Sequence, residues 1–193
     1  MIYGLILAGG RSSRFGREKA AAVIGGRPLL ACAASALHPH VAALAINAAP
    51  QRWAASFAAE AGWPLRPDAP GDPDGPLSGV KAGLTWACAA GAEALATAPC
   101  DTPFLPPDLV PRLTRALTAG AGAAVARTAE GLQPLCAIWR CDRLEMIRAA
   151  LAKGEHPSVR ATLADLDAVE VCFDDAHAFD NINTPEEHAR AGG

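Results

Sequence analysis

Residues 1–19 read MIYGLILAGGRSSRFGREK and place a short apolar run directly before a loop of glycines and cations. The run Ile2–Leu7 has no basic flank of the kind that precedes an export signal, and its length predicts a buried strand. Gly9 and Gly10 allow positive φ angles and close backbone approach, so consecutive N–H groups can point at phosphate oxygens. The stretch therefore predicts a strand that ends in a phosphate-binding loop.

Two cations of this loop, Arg14 and Lys19, would supply positive charge to bound phosphates. The loop lacks the G-K-[ST] of a Walker A motif and the G-x-G-x-x-G spacing of a dinucleotide fingerprint. A glycine-rich turn with solvated basic side chains is the plain alternative. The position after a strand favours phosphate binding.

Short apolar runs alternate with longer helical patterns along the chain, as in β-α-β units around a parallel sheet. Further strands are predicted at 42–47 and 94–98, and helices at 77–90 and 107–118. We therefore expect one α/β domain, residues 1–193, with three α/β/α layers and a Rossmann-like, mostly parallel sheet. The carboxyl ends of such strands meet at one crevice, where ligands bind.

Three other segments carry local structural signals. Leu144, Ile147 and Leu151 have helical spacing, and Thr184-Pro185-Glu186-Glu187 forms a capping box that predicts a helix start. The segment 64–76 is rich in proline and glycine and predicts an irregular loop, which in a compact domain is usually functional or disordered.

The composition excludes several classes of protein. Of the 193 residues, 51% are hydrophobic and 19% are charged, with a net charge of −3, as in globular proteins. No basic tract suggests nucleic-acid binding, and no apolar run approaches the ~20 residues that cross a bilayer. The six cysteines include no C-x-x-C pair, so we expect reduced thiols in a cytoplasmic protein and no structural zinc.

Asp101 follows an apolar run and precedes Thr102-Pro103, which predicts a carboxylate at the carboxyl end of a strand. Mg²⁺ prefers oxygen ligands and commonly takes one or two carboxylates together with substrate phosphates and waters. An aspartate that caps a helix or closes a turn is the structural alternative. With the glycine loop beside it, Asp101 is our candidate magnesium ligand.

Four blocks together resemble the nucleotidyltransferases of the glycosyltransferase-A-like fold, and especially the molybdenum cofactor guanylyltransferases, the MobA family. The blocks are residues 7–19, Gly75-Pro76-Leu77-Ser78-Gly79, Pro99-Cys100-Asp101-Thr102-Pro103 and Asn181-Ile182-Asn183-Thr184-Pro185-Glu186-Glu187. They occur in the family's order and span nearly the whole chain. Phe15 and Ser78 stand where the family commonly has methionine and alanine.

This resemblance implies transfer of GMP from GTP to molybdopterin, which gives the guanine dinucleotide form of the cofactor and pyrophosphate, with Mg²⁺ as the metal. Residues that match the family's GTP-binding positions are Leu7, Ala8, Gly9, Gly10, Lys19, Asn47, Asp68 and Asp101. Asp101 would hold the metal, and Lys19 and Arg14 would act with it in catalysis. No general base is required, because the attacking phosphate monoester is mostly ionised at neutral pH.

Two further sites are candidates for binding the acceptor. Asn181 and Asn183 directly precede the predicted capped helix, although asparagines also close turns through their own backbone. Gln133, before Pro134 in a predicted strand, resembles an acceptor-site element. The implied partners are GTP and molybdopterin, with transient contacts to proteins of cofactor synthesis or molybdoenzyme maturation.

Two alternatives stay open. A molybdopterin cytidylyltransferase, or a sugar-phosphate or lipid-precursor nucleotidyltransferase, would share the fold but tends toward Leu-Ala-Ala-Gly in the first loop. A non-catalytic nucleotide-binding regulator would keep the glycine loop but could lose Lys19 or Asp101. Gly10 and the block at 75–79 favour guanine.

Overall fold

The computed structural model describes residues 1–9, 18–118, 120–152 and 158–182. The strands within these ranges are β1 (Ile2–Leu7), β2 (Val23–Ile24), β3 (Arg27–Pro28), β4 (Leu44–Asn47), β5 (Ala94–Pro99), β6 (Ala123–Thr128), β7 (Gly131–Arg140) and β8 (Val169–Cys172). The α-helices are α1 (Leu29–Leu37), α2 (Trp53–Glu60), α3 (Pro76–Ala89), α4 (Leu109–Ala116), α5 (Leu144–Ala152) and α6 (Val159–Asp165).

Six of the strands form one sheet in the order β4-β1-β5-β7-β6-β8. β1 pairs in parallel with β4 and β5, and β6 pairs in parallel with β8. β7 runs antiparallel to both of its neighbours, β5 and β6. The predicted mostly parallel sheet is therefore confirmed, and β2 and β3 form a separate antiparallel hairpin.

Helices cover both faces of the sheet. Because neighbouring residues of β1 point to opposite faces, they pack in different cores. Ile6 packs in a core with residues of α1, α2 and α4, whereas Leu5 packs in a second core with residues of α3, α5 and α6. Both side chains are fully buried. The result is the expected α/β/α arrangement.

A glycine lets helix α3 pack closely against the sheet. A Cβ atom at Gly83 would be 2.6 Å from Leu5 Cδ2 and 2.8 Å from Leu95 Cδ2, closer than carbon atoms pack. The glycine lets the helix axis approach β1 and β5. This packing brings the first turn of α3 to the edge of the sheet where β1 ends.

The predicted helix at 107–118 is longer than the observed α4. The N–H of Leu109 bonds to Pro106 O in a turn that precedes the helix, so Pro107 lies outside it. At the other end, Leu117 adopts ψ +82° and leaves the helical region. The predicted helices at 77–90 and around Leu144 correspond to α3 and α5. The capping box at 184–187 lies outside the described residues.

No α-helix in the described ranges is long and apolar enough to span a membrane.

Candidate functional site

Three strands end together at one edge of the sheet. Leu7, the last residue of β1, is opposite Asn47 of β4 on one side and Pro99 of β5 on the other. The pairing continues past the strands, since Ala8 N–H donates to Asn47 O at 2.9 Å and Cys100 N–H donates to Leu7 O at 3.0 Å. The three segments that carry sequence candidates thus face one crevice.

Lys19 and Asp101 meet at this edge. The Lys19 Nζ atom lies 2.5 Å from Asp101 Oδ2, and the two side chains keep only 14% and 20% of their surface exposed. The other carboxylate oxygen, Asp101 Oδ1, is buried and has no hydrogen-bond partner among the described residues. A buried, hard oxygen of this kind fits a magnesium ligand, and Lys19 supplies a cation beside it.

Glu18 fixes the chain just before Lys19. Its carboxylate accepts hydrogen bonds from Trp53 N–H at 2.7 Å and Ala54 N–H at 3.1 Å, the first two residues of α2. It thereby caps a helix start that its own neighbours leave without a side-chain cap. Sequence reasoning missed this role, because nothing local links Glu18 to a helix 35 residues away.

Asn47 connects the first loop, α3 and the 64–76 segment. It is buried, and its Nδ2 donates to Arg66 O and to Asp68 Oδ1, both at 2.8 Å. Its Oδ1 faces two glycines, because a Cβ atom would lie 3.2 Å away at Gly9 and 2.4 Å away at Gly79. Asn47 and Asp68, which the resemblance predicted separately, are in direct contact.

The 64–76 segment begins as an extra edge of the sheet and then becomes irregular, as predicted. Ile46 N–H donates to Pro64 O, and Arg66 N–H donates to Ile46 O. At its far end, the buried Ser78 hydroxyl donates to Pro73 O at 2.7 Å. This bond explains how a serine is tolerated where alanine is common, because the buried hydroxyl has a partner.

The segment before residue 183 reaches Asp101. Ile182 N–H donates to Asp101 O at 2.9 Å, and the Ile182 side chain is buried against Ala22, Ile24 and Leu29. This bond brings the residue next to Asn181 in the chain to the candidate metal ligand. Asn183, like Gly10 and Arg14, lies outside the described residues.

Gln133 lies near the same edge of the sheet, on the strand next to β5. β7 runs antiparallel to β5, so its first residues extend beyond the carboxyl end of β5. The Gln133 amide donates to Thr128 Oγ1 at 3.4 Å across the β6–β7 hairpin. The structure therefore places Gln133 on the strand beside the one that leads to Asp101.

The buried cysteines near the site are poor nucleophiles. Burial, and then the nearby Asp101 charge, raise the pKa of Cys100 to about 12, and the same two causes raise the pKa of Cys136 well above its usual range. Both thiols stay protonated at neutral pH, so neither offers the thiolate that covalent catalysis needs. In the part of the chain that the structure describes, no cluster of three or more His, Cys, Asp or Glu residues could hold a metal.

Similarity to known proteins identifies the family of this chain. Residues 4–169 match the MobA-like NTP transferase domain family. The molybdenum cofactor guanylyltransferase of Cereibacter sphaeroides is 47% identical over 98% of this chain and 95% of its own length. The corresponding protein of Rhodobacter capsulatus is 43% identical over 98% and 94%.

Solved structures share the fold at lower identity. The crystal structure of molybdopterin-guanine dinucleotide biosynthesis protein A from Archaeoglobus fulgidus has a TM-score of 0.78 at 22% identity, covering 99% of this chain and 96% of that one. A nucleotidyl transferase from Methanothermobacter has a TM-score of 0.75 at 18% identity, covering 98% and 95%. The chain belongs to the MobA-like NTP transferase family and is a nucleotidyltransferase.

Proposed function

We propose that this enzyme transfers GMP from GTP to the phosphate of molybdopterin, with Mg²⁺ as cofactor. The observation that carries the proposal is the meeting of Lys19 and Asp101 beside the Gly9 and Asn47 segments. Nearly full-length similarity to molybdenum cofactor guanylyltransferases supports the choice of GTP and molybdopterin.

The chemistry is an in-line displacement at phosphorus. An oxygen of the acceptor phosphate attacks the α-phosphorus of GTP and forms a new P–O–P link, while the bond from that phosphorus to the bridging oxygen breaks and pyrophosphate leaves. Bound magnesium supplies positive charge to the phosphates. Asp101 would hold that metal through its carboxylate, and the Lys19 ammonium would neutralise charge that grows on the leaving group.

The remaining residues would bind and orient the substrates. The backbone at Gly9 would approach the phosphates, together with Gly10 and Arg14 farther along the loop. Asp68, fixed by Asn47, offers a carboxylate that can accept hydrogen bonds from guanine N1 and N2. Asn181, Asn183 and Gln133 would bind the acceptor.

We also propose a single domain over residues 1–193, which the one six-stranded sheet supports. The cytoplasm is the proposed place of the reaction, since the cysteines would remain thiols there. Transient contact with proteins of cofactor synthesis or molybdoenzyme maturation would deliver the acceptor and receive the product.

The test is turnover with each nucleoside triphosphate. The protein is incubated with Mg²⁺, molybdopterin and GTP, CTP or ATP, and pyrophosphate and the coupled dinucleotide are measured. We expect strong preference for GTP, because a guanine-specific site leaves buried polar groups unpaired with another base, at a cost of ~1 to 3 kcal/mol each. Equal turnover with CTP would favour the cytidylyltransferase alternative, and GTP binding without turnover would favour a regulator.

A further inference from the structure

A largely buried ion pair joins the 64–76 segment to α3. Lys81 Nζ, on the second turn of α3, donates to Asp72 Oδ1. The two side chains keep only 17% and 13% of their surface exposed. By contrast, the Arg148 and Glu145 pair on α5 is 45% and 78% exposed. Removing one partner of a buried pair leaves the other charge poorly solvated, which destabilises the folded structure. An exposed pair contributes little to stability.

A second contact ties the segment to α3 on the other side of Asp68. The Arg66 guanidinium lies over the Trp86 ring, 5.2 Å from its centroid, and Trp86 also packs on Tyr3 of β1. The attachments at Arg66 and Asp72 therefore flank Asp68 along the chain. The residues between them form a span held at both ends.

This span forms one wall of the candidate nucleotide crevice. Asn47 Nδ2 bonds to the segment at Arg66 O and Asp68 Oδ1, while its other atom, Oδ1, faces Gly9 and Gly79. Asp68 is thereby held against Asn47 at the carboxyl end of β4. The contacts of Arg66 and Asp72 attach the span to α3 on either side of Asp68.

We propose that Asp72 and Lys81 are positioning residues that hold the 64–76 segment in the conformation that recognises the guanine base. The inference rests on the proposed function, since it assumes a nucleotide in this crevice. Breaking the pair would let the segment populate conformations that do not present Asp68. Apparent affinity falls in proportion to the fraction of molecules that remain competent to bind. The chemistry at Lys19 and Asp101, once GTP is bound, would be unchanged.

The experiment compares Lys81→Met, Asp72→Asn and the double variant with the wild-type full chain. Arg148→Met is the matched control, because it breaks an exposed ion pair on another helix. We measure dissociation constants for GTP and ATP, steady-state kinetics with GTP, and amide hydrogen exchange over residues 64–76. If the competent fraction falls to one-tenth, GTP binding weakens about tenfold, with higher KM, unchanged kcat and ATP binding near the wild-type value.

Two further results should accompany that loss. Exchange over 64–76 should rise in both single variants and stay at the wild-type rate in Arg148→Met. The double variant should bind GTP about as weakly as either single one, because the residues act as one unit. Losses that add would show that the two residues do not act as a pair and would overturn the inference.

Other outcomes separate this inference from the proposed function. Wild-type GTP affinity in Asp72→Asn, which preserves the side-chain shape, would overturn the inference and leave the function intact. An equal loss for GTP and ATP would also overturn it, because base recognition would not be involved. If the wild-type protein itself shows no preference for GTP over ATP, the proposed function fails, whereas hydrogen exchange still reports whether the pair holds the segment.

Discussion

Asp101 has its two carboxylate oxygens in different surroundings, one against Lys19 and the other buried without a partner among the described residues. We predict that Asp101→Ala lowers magnesium-dependent turnover about a thousandfold, because metal stabilisation of several kcal/mol is lost. The variant should still fold, with a lower melting temperature because Lys19, only 14% exposed, loses the carboxylate beside it, so turnover is measured per folded molecule. Less than a tenfold loss at saturating magnesium would indicate that another residue holds the metal.

Lys19 should contribute to the transition state more than to ground-state binding. Lys19→Ala is expected to lower kcat more than it raises KM for GTP, because the ammonium meets charge that develops during transfer. Lys19→Arg should rescue only partly, since a planar guanidinium replaces a compact point charge. Initial-rate kinetics check both variants. An effect confined to KM would make Lys19 a uniform binder of GTP.

At the scale of elements, Glu18 couples α2 to the position of Lys19. Glu18→Ala should cost about 1 kcal/mol of stability, as for a lost helix cap, and should also slow turnover because the residue beside it loses its anchor. Glu145→Ala is the control, since it removes an exposed acid in the first turn of α5. Denaturant unfolding and kcat are measured together. A loss of stability with unchanged turnover would limit Glu18 to capping.

Asn181 and Ile182 are adjacent in the chain but are expected to have different roles, acceptor binding for Asn181 and core packing for Ile182. Asn181→Ala should remain folded and turn over slowly if its amide serves the acceptor. Ile182→Ala should instead lose about 2–5 kcal/mol of stability, because it empties a buried site. Melting temperature and turnover per folded molecule distinguish the two. If Asn181→Ala loses stability but keeps turnover, Asn181 is a turn former.

Local signals account for the elements that were predicted correctly. β1 and the start of α3 are set by apolar runs and by a proline in the first helical turn, which their own sequence displays. The antiparallel direction of β7 also has a local signal, the two-residue connection before Gly131. The contacts of Glu18 with α2 and of Asp72 with Lys81 had none. Each joins charges or donors that only the folded chain brings together.

The candidate site was likewise predictable only where local sequence patterns determine it. Asp101 and the glycine loop follow from strand ends, because parallel strands place their carboxyl ends at one edge. The contact between Asn47 and Asp68 depends on how an irregular segment folds back onto β4, which periodicity does not encode. The resemblance proposed the two residues separately and did not predict their contact.

At the scale of the whole molecule, a polar contact joins the parallel and antiparallel parts of the sheet. The buried Trp139 Nε1–H donates to Thr97 Oγ1 at 2.9 Å, and that hydroxyl donates to Leu135 O at 2.8 Å. We predict that Thr97→Val lowers the free energy of unfolding by ~1 to 3 kcal/mol, because it leaves buried polar groups unpaired. Turnover per folded molecule should be unchanged.

Thr97→Ser provides the control, since it keeps the hydroxyl and removes only a methyl group. Urea unfolding of both variants gives the comparison. If Thr97→Val is as stable as the wild type, the hydroxyl contributes nothing to holding β5 and β7 together, and their packing alone accounts for the join.

The Cβ atoms that are missing at Gly9 and Gly79 determine how this sequence can diverge. Any side chain at position 79 would start 2.4 Å from Asn47 Oδ1, so it must displace an amide that also bonds to Asp68. Substitutions at positions 47 and 79 are therefore expected to be epistatic. Leu7 Cδ2 would lie 2.8 Å from the same Cβ atom, so the end of that side chain must also move. A library randomised at position 79 alone should return glycine, whereas one randomised at positions 47 and 79 should return a new residue at 79 only with a smaller one at 47. We therefore expect a lineage that loses glycine at 79 to have first lost the hydrogen bond between Asn47 and Asp68.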